Sequence, residues 1–152
     1  MKKIFVILAL IIFTISNPTV LHAGQFPPDA SEQYGFTQET ESKNGMTVEY
    51  ELVIFPSTTR SNVKAATKTA TCKRNGKIVA TIKLTAEFTY NGSSATCTNA
   101  SSTYSMSDGW SYSSRTTTRS GRTASTSAKI SKNNECFHAN VTITCSNSGA
   151  IS

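Results

Sequence analysis

Lys77-Ile78-Val79-Ala80-Thr81-Ile82-Lys83-Leu84-Thr85-Ala86-Glu87-Phe88-Thr89-Tyr90 lies between two Asn-Gly dipeptides, Asn75-Gly76 and Asn91-Gly92. Its even positions are apolar or small: Ile78, Ala80, Ile82, Leu84, Ala86, Phe88 and Tyr90. Its odd positions are mostly Lys, Thr and Glu. Successive side chains of a strand point to opposite faces, so this alternation reads as one long strand with a single buried face. Asn-Gly readily takes the positive φ angles of a two-residue hairpin turn, which places an antiparallel neighbour on each side. A meander over 67–103 follows, with the 77–90 strand in its middle.

The same reading extends outward. Val48, Tyr50, Leu52 and Ile54 alternate with Thr47, Glu49, Glu51 and Val53, a strand over Thr47–Phe55 closed by Pro56, which cannot donate to a ladder. Thr67–Arg74 is a strand with a fully polar face. Asp108-Gly109 precedes a strand starting at Trp110, Ser120-Gly121 turns it into 122–130, and Lys132-Asn133-Asn134 turns again. Ala139, Val141, Ile143 and Cys145 form the inward face of the last strand. Seven strands are therefore expected, an all-β, antiparallel, immunoglobulin-like β-sandwich over 47–152. Composition agrees: Ser and Thr fill 41 of the 129 positions after Ala23, and Thr favours strands while both are mediocre helix formers.

The first 23 residues read as a secretory signal peptide. Lys2 and Lys3 precede an unbroken apolar run from Ile4 to Phe13, and Ala23 suits the position before a cleavage site. A membrane span needs about 20 apolar residues, and this run is broken by Ser16, Asn17 and Pro18. Cleavage gives a secreted chain with no membrane span. Residues 24–46 are acidic and polar with Pro27-Pro28, and read as a flexible arm with Tyr34 and Phe36 as its anchors. Charge is lopsided: 24–59 carry six acids and one base, whereas 60–152 carry twelve bases and three acids.

Cys72, Cys97, Cys136 and Cys145 all follow the signal segment, and an even count in an exported chain reads as two disulfides. Cys72 and Cys97 sit on the strands flanking 77–90, about 9–10 Å apart, whereas bridged Cα atoms lie within about 7 Å. That removes Cys72–Cys97 and, with it, Cys136–Cys145. Cys97–Cys145 with Cys72–Cys136, or the crossed pairing, remains. The chain has no C-x-x-C and one histidine after residue 23, so no zinc site or other cofactor is expected.

Catalysis finds little support. His138 is the single base of that type after the signal segment, and there is no Gly-x-Ser-x-Gly elbow. Glu49 and Glu51 share one outward strand face and read as solvated charge. Two binding surfaces are expected instead. One is aromatic, Tyr104, Trp110 and Tyr112, whose rings could stack on sugars; as the only Trp of the chain, Trp110 reads first as the core aromatic of the sandwich. The other is basic, Arg115, Arg119 and Arg122 around Ser120-Gly121, whose guanidinium forks suit phosphate or carboxylate. The expected partner is an anionic cell-wall polymer, a glycan or a protein, and not nucleic acid. A secreted effector, either an antibacterial toxin or a protease inhibitor using 104–109 or 115–122 as its loop, is the alternative.

Ala66-Thr67-Lys68-Thr69-Ala70-Thr71, Phe88-Thr89-Tyr90-Asn91-Gly92 followed by Cys97-Thr98, and Val141-Thr142-Ile143-Thr144-Cys145-Ser146 with Gly149 carry a resemblance. Over about residues 60–152 the chain resembles a group of short secreted proteins of Gram-positive bacteria whose function is not established. The resemblance implies a Cys97–Cys145 pair, leaving Cys72–Cys136 as an accessory bond, and implies no activity.

Overall fold

The computed structural model describes residues 34–43, 45–56 and 62–152; the expected signal segment lies outside them, as do residues 24–33 of the expected arm. The described chain is all-β. Eight strands run β1 (Tyr34–Lys43), β2 (Met46–Pro56), β3 (Val63–Arg74), β4 (Lys77–Tyr90), β5 (Ala95–Met106), β6 (Ser111–Ser120), β7 (Thr123–Lys132) and β8 (Glu135–Thr144). They form two antiparallel sheets, β1-β2-β3-β4-β5 and β6-β7-β8. Within each sheet every strand pairs with its neighbour in sequence, so both sheets are meanders. The long return connection of an immunoglobulin-type Greek key does not occur among the described strands.

The turns follow from backbone chemistry. Asn75 at φ 51° and Gly76 at φ 78° make the β3–β4 hairpin, and Asp108 and Gly109 turn β5 towards β6 with φ of 56° and 74°. In the β4–β5 turn Asn91 Oδ1 accepts from the Ser93 and Ser94 backbone N–H groups at 3.0 and 2.8 Å.

β4 behaves as its alternation demands, with Ile82, Leu84 and Phe88 at 0% exposure. Its start departs from the pattern. Cys72 pairs with Ala80 but Lys73 pairs with Ile78, so Val79 is the extra residue of a bulge. Val79 takes the buried place and Ile78, expected inward, is 52% exposed. The extra strand β1 lies in the segment expected to be an arm. It pairs with β2 from Phe36↔Val53 to Lys43↔Met46, through a turn at Gly45 (φ 70°).

The two sheets share one core. β8 packs on β3 and β4, β7 on β4 and β5, and β6 against β5. Ala66, Ala70, Cys72, Ile82, Leu84 and Phe88 face Ala124, Ile130, Val141 and Ile143, all buried. Small residues at Ala66, Ala70, Ala124 and Ala128 let the layers approach while the larger β4 residues fill the space between them. β1 and β2 lie beyond the second sheet, so the first sheet overhangs it at the β8 side.

Candidate binding site

The side chains expected on two surfaces meet at one. Antiparallel pairing puts Tyr112 opposite Ile130 and Arg115 opposite Ala128. These β7 partners are buried, so the β6 side chains face the first sheet. The chain turns only once between β5 and β6, which brings Tyr104 against them. The Tyr104 and Tyr112 rings meet edge to face, 5.2 Å between centroids and 85° between planes. The Arg115 guanidinium lies over both, 5.6 Å from the Tyr104 centroid and 5.5 Å from that of Tyr112. A cation over two ring faces is held by their quadrupoles and stays solvent-accessible.

Hydroxyls form the floor. Ser102 Oγ donates to Tyr104 Oη at 3.0 Å, and Thr117 Oγ1 stands 3.2 Å from Thr126 Oγ1. Thr126, 2% exposed, donates to the Thr116 carbonyl at 2.9 Å and is also hydrogen-bonded to Tyr104. Ser102, Tyr104, Arg115, Thr116 and Thr117 line an open depression of about 300 Å³. Burial raises the Tyr104 pKa, but the hydroxyls of Ser102, Thr117 and Thr126 and the charge of Arg115 together bring it below the ordinary value. Burial pushes Tyr112 up, against the pull of Arg115. Its Oη is buried without a hydrogen-bond partner among the described residues.

Arg119 projects from the same β6 face as Arg115, four residues on, about 13–14 Å along the strand. Its Nη1 donates to the Thr98 carbonyl of β5. Arg122 follows in the β6–β7 turn and is exposed. None of the three arginines makes an ion pair among the described residues. The acids Asp108 and Glu135 are taken by Lys132 at 3.4 Å and Arg74 at 3.0 Å.

Trp110 does not join the rings. It precedes β6, its N–H donates to the Ser107 carbonyl at 3.1 Å, and it is 7% exposed against Met46 and Phe137. Trp110 is therefore part of the buried core. His138 is exposed on the outward face of the second sheet, opposite Lys129. Glu49 is held by Lys73 at 2.6 Å. No cluster of metal-ligating side chains occurs among the described residues. Residues 104–109 and 115–122 form strand ends and tight turns, not a protruding loop.

All four cysteines carry free thiols and no two stand at disulfide distance, so the expected bonds are not made in this structure. Cys72, Cys97 and Cys145 are buried, and Cys136 is exposed on β8. Cys72 faces the core from the first sheet, whereas Cys136 looks outward from the second. Cys97 N–H donates to the Gly121 carbonyl at 2.7 Å and Cys145 N–H to that of Arg122 at 3.0 Å, so these two flank one turn. Burial pushes the Cys72 thiol up to about 11 and raises Cys97 and Cys145 as well, against the opposing charges of Arg119 and Lys64. Thiolates react and thiols do not. In the reduced, folded protein at pH 8 a thiol reagent is expected to modify Cys136 rapidly and the other three only on unfolding; rapid modification of two or more would contradict this packing. The raised Cys72 pKa also sets a pH dependence. Its stability contribution is complete below the unfolded value near 9 and is lost as pH rises to about 11, roughly 2–3 kcal/mol. Reduced Cys72→Ala should show a flatter denaturation profile over that window.

No family model matches the chain, and neither a curated protein nor a solved structure matches it.

Proposed function

We propose that the chain is exported and acts outside the cell as a non-catalytic β-sandwich binder of an anionic surface polymer or glycan, taken along β6. The observation that carries this reading is a line of three guanidinium groups without carboxylate partners among the described residues, the first of them laid over the Tyr104 and Tyr112 rings. Arg115 offers a fork to a phosphate or carboxylate while the ring edges and the Ser102 and Thr117 hydroxyls offer contacts to a sugar. Arg119 and Arg122 extend the positive line to match a polymer with repeated charge rather than a single small anion. Export is supported by the amino-terminal pattern. In an oxidising compartment we place the disulfide at Cys97–Cys145, which flank the Gly121-Arg122 turn, with an external disulfide accepting the two electrons and two protons.

The test is pull-down on purified wall polymers and acidic glycans at low and physiological salt. Binding should weaken with salt. The triple variant Arg115→Ala, Arg119→Ala, Arg122→Ala should lose at least about tenfold in affinity, and His138→Ala should lose none. Retention of binding by the triple variant would remove β6 as the surface. No binding at either salt concentration, with growth inhibition of target cells, would favour the effector reading.

A further inference from the structure

Sheet edges offer unpaired N–H and C=O groups, and proteins guard them with bulges, charges or cover. Three of the four edges here are guarded. β1 has a register irregularity between Tyr34 and Phe36, and Glu41 follows it. β5 has a bulge at Thr98, whose carbonyl accepts from Arg119. β6 has a bulge at Ser113 and carries Arg115 and Arg119. β8 differs. Its ten pairs with β7, from Lys132↔Glu135 to Thr123↔Thr144, run without a shift. Its Asn140-Val141-Thr142-Ile143-Thr144 stretch has no charge and no proline.

The outward hydrogen-bonding positions of β8 can be assigned. Cys145 donates to Arg122, on the β7 side, whereas Thr144 and Ser152 exchange bonds of 2.8 and 3.0 Å on the opposite side. The N–H and C=O of one residue share a side, and sides alternate along a strand. Thr142 and Asn140 therefore present both groups away from β7. The Asn140 carbonyl confirms this direction by accepting from the Tyr50 hydroxyl at 3.4 Å. Ile151 and Ser152 already pair as the first residues of a fourth strand. Beyond them Tyr50, Leu52, Lys68, Thr142, Thr144 and Ile151 line a groove of about 410 Å³, roofed by the overhanging β2.

We propose that this groove is a strand-addition site that takes a single extended acidic peptide segment from a partner protein onto the β8 edge. Three observations select that occupant. The inward side chains Val48 and Leu52 of β2 are already buried and Tyr50 reaches the Asn140 carbonyl, so the open space beside Thr142 is limited to the groove of about 410 Å³, room for one strand and not for a second sheet. Two copies joined β8 to β8 would bring both overhangs into the same space. Lys68 is the charged side chain of the lining, its Nζ sits 5.6 Å from the Tyr50 centroid, and it makes no ion pair among the described residues; of the described acids none lines the groove, and Glu41 reaches only the Tyr50 hydroxyl, at 3.5 Å. Main-chain bonds to the Thr142 N–H and C=O and to the Asn140 N–H supply affinity, the Asn140 carbonyl being held by Tyr50, while Leu52 and Ile151 receive alternate apolar side chains and Lys68 selects a carboxylate. This site is on the opposite side of the sandwich from Arg115 and does not depend on it.

The experiment uses the full chain and two capped, fluorescent eight-residue peptides, alternating Val-Glu and alternating Val-Lys. The acidic peptide should bind saturably and at least about tenfold tighter than the basic one, and amide exchange at Asn140 and Thr142 should slow on binding. Thr142→Pro removes an outward N–H and leaves the β7–β8 ladder intact, so it should abolish binding, whereas Thr142→Ser should retain it. Lys68→Glu should reverse the charge preference. Equal affinity for the two peptides, or unchanged binding by Thr142→Pro, would overturn the proposal. So would Asn140 and Thr142 amides already protected in the free protein, which would assign the slot to the chain itself, or self-association reversed by Thr142→Pro, which would assign it to a second copy.

Discussion

Phe88→Ala is expected to lower stability by about 3–5 kcal/mol, the usual cost of emptying a buried aromatic site. Phe88 is the largest fully buried side chain among the described residues, at 0% exposure. It pairs with Lys64 on one side and Cys97 on the other, in the strand that carries most of the first sheet's contribution to the core. The surrounding backbone is held in two ladders, so collapse around the void is restricted and the cavity is retained. Against a typical total of about 5–15 kcal/mol, this one change can consume most of the stability. Chemical denaturation measures it through the midpoint at constant slope. Glu87→Gln, next along β4 but exposed, should change the stability by less than about 0.5 kcal/mol. Equal effects of the two substitutions would place Phe88 outside the core.

Gly149→Ala is expected to be the most damaging of the glycine substitutions. Gly149 has φ 85°, and an added Cβ would stand 2.5 Å from two atoms of the Tyr90 ring. That ring is held in turn by Lys64, whose Nζ lies 5.6 Å from its centroid and donates to the Gly149 carbonyl at 2.6 Å. The left-handed backbone costs about 1–2 kcal/mol for a residue with a side chain, and overpacking adds about 1–3. Gly76, at φ 78°, has open space where its Cβ would be, so Gly76→Ala should show the backbone cost alone. Tyr90→Ala in the Gly149→Ala background should recover the steric part and leave the backbone part. A Gly149→Ala loss equal to that of Gly76→Ala would mean that the ring moves aside freely.

Much of the fold was legible because it is local. Alternation from Ile82 to Phe88 and the Asn75-Gly76 turn set the centre of the first sheet, and the inward residues Ala139, Val141, Ile143 and Cys145 emerged as expected. The β1–β2 hairpin was missed although Asn44-Gly45 is the same dipeptide as the other two turns; the acidic, weakly alternating 34–43 segment carries no apolar face to signal a strand. The bulge at Val79 was hidden because Ile78, Val79 and Ala80 are all apolar, and period alone does not say which is skipped. Tyr104, Tyr112 and Arg115 were each legible as candidates, yet read as two surfaces. Their meeting depends on how one sheet lies over the other, which alternation along a strand does not encode. The hydroxyl floor of Ser102, Thr117 and Thr126 was lost among the many Ser and Thr residues that merely serve strand propensity.

The sheets follow one another in the chain, with the break between Met106 and Ser111. No strand waits for a distant partner within its own sheet, so the entropy of closing long loops is small at each step. A chain emerging amino-terminus first can complete the five-stranded sheet before β6 arrives, and the second meander then needs only to dock. Such an order of assembly is faster than that of sandwiches whose sheets interleave the chain, because each strand of a sheet pairs with the strand beside it in the chain. Its exposed stage is also defined: until β6–β8 close over them, Ile82, Leu84 and Phe88 face water together, and that interval is when the nascent protein is most open to aggregation.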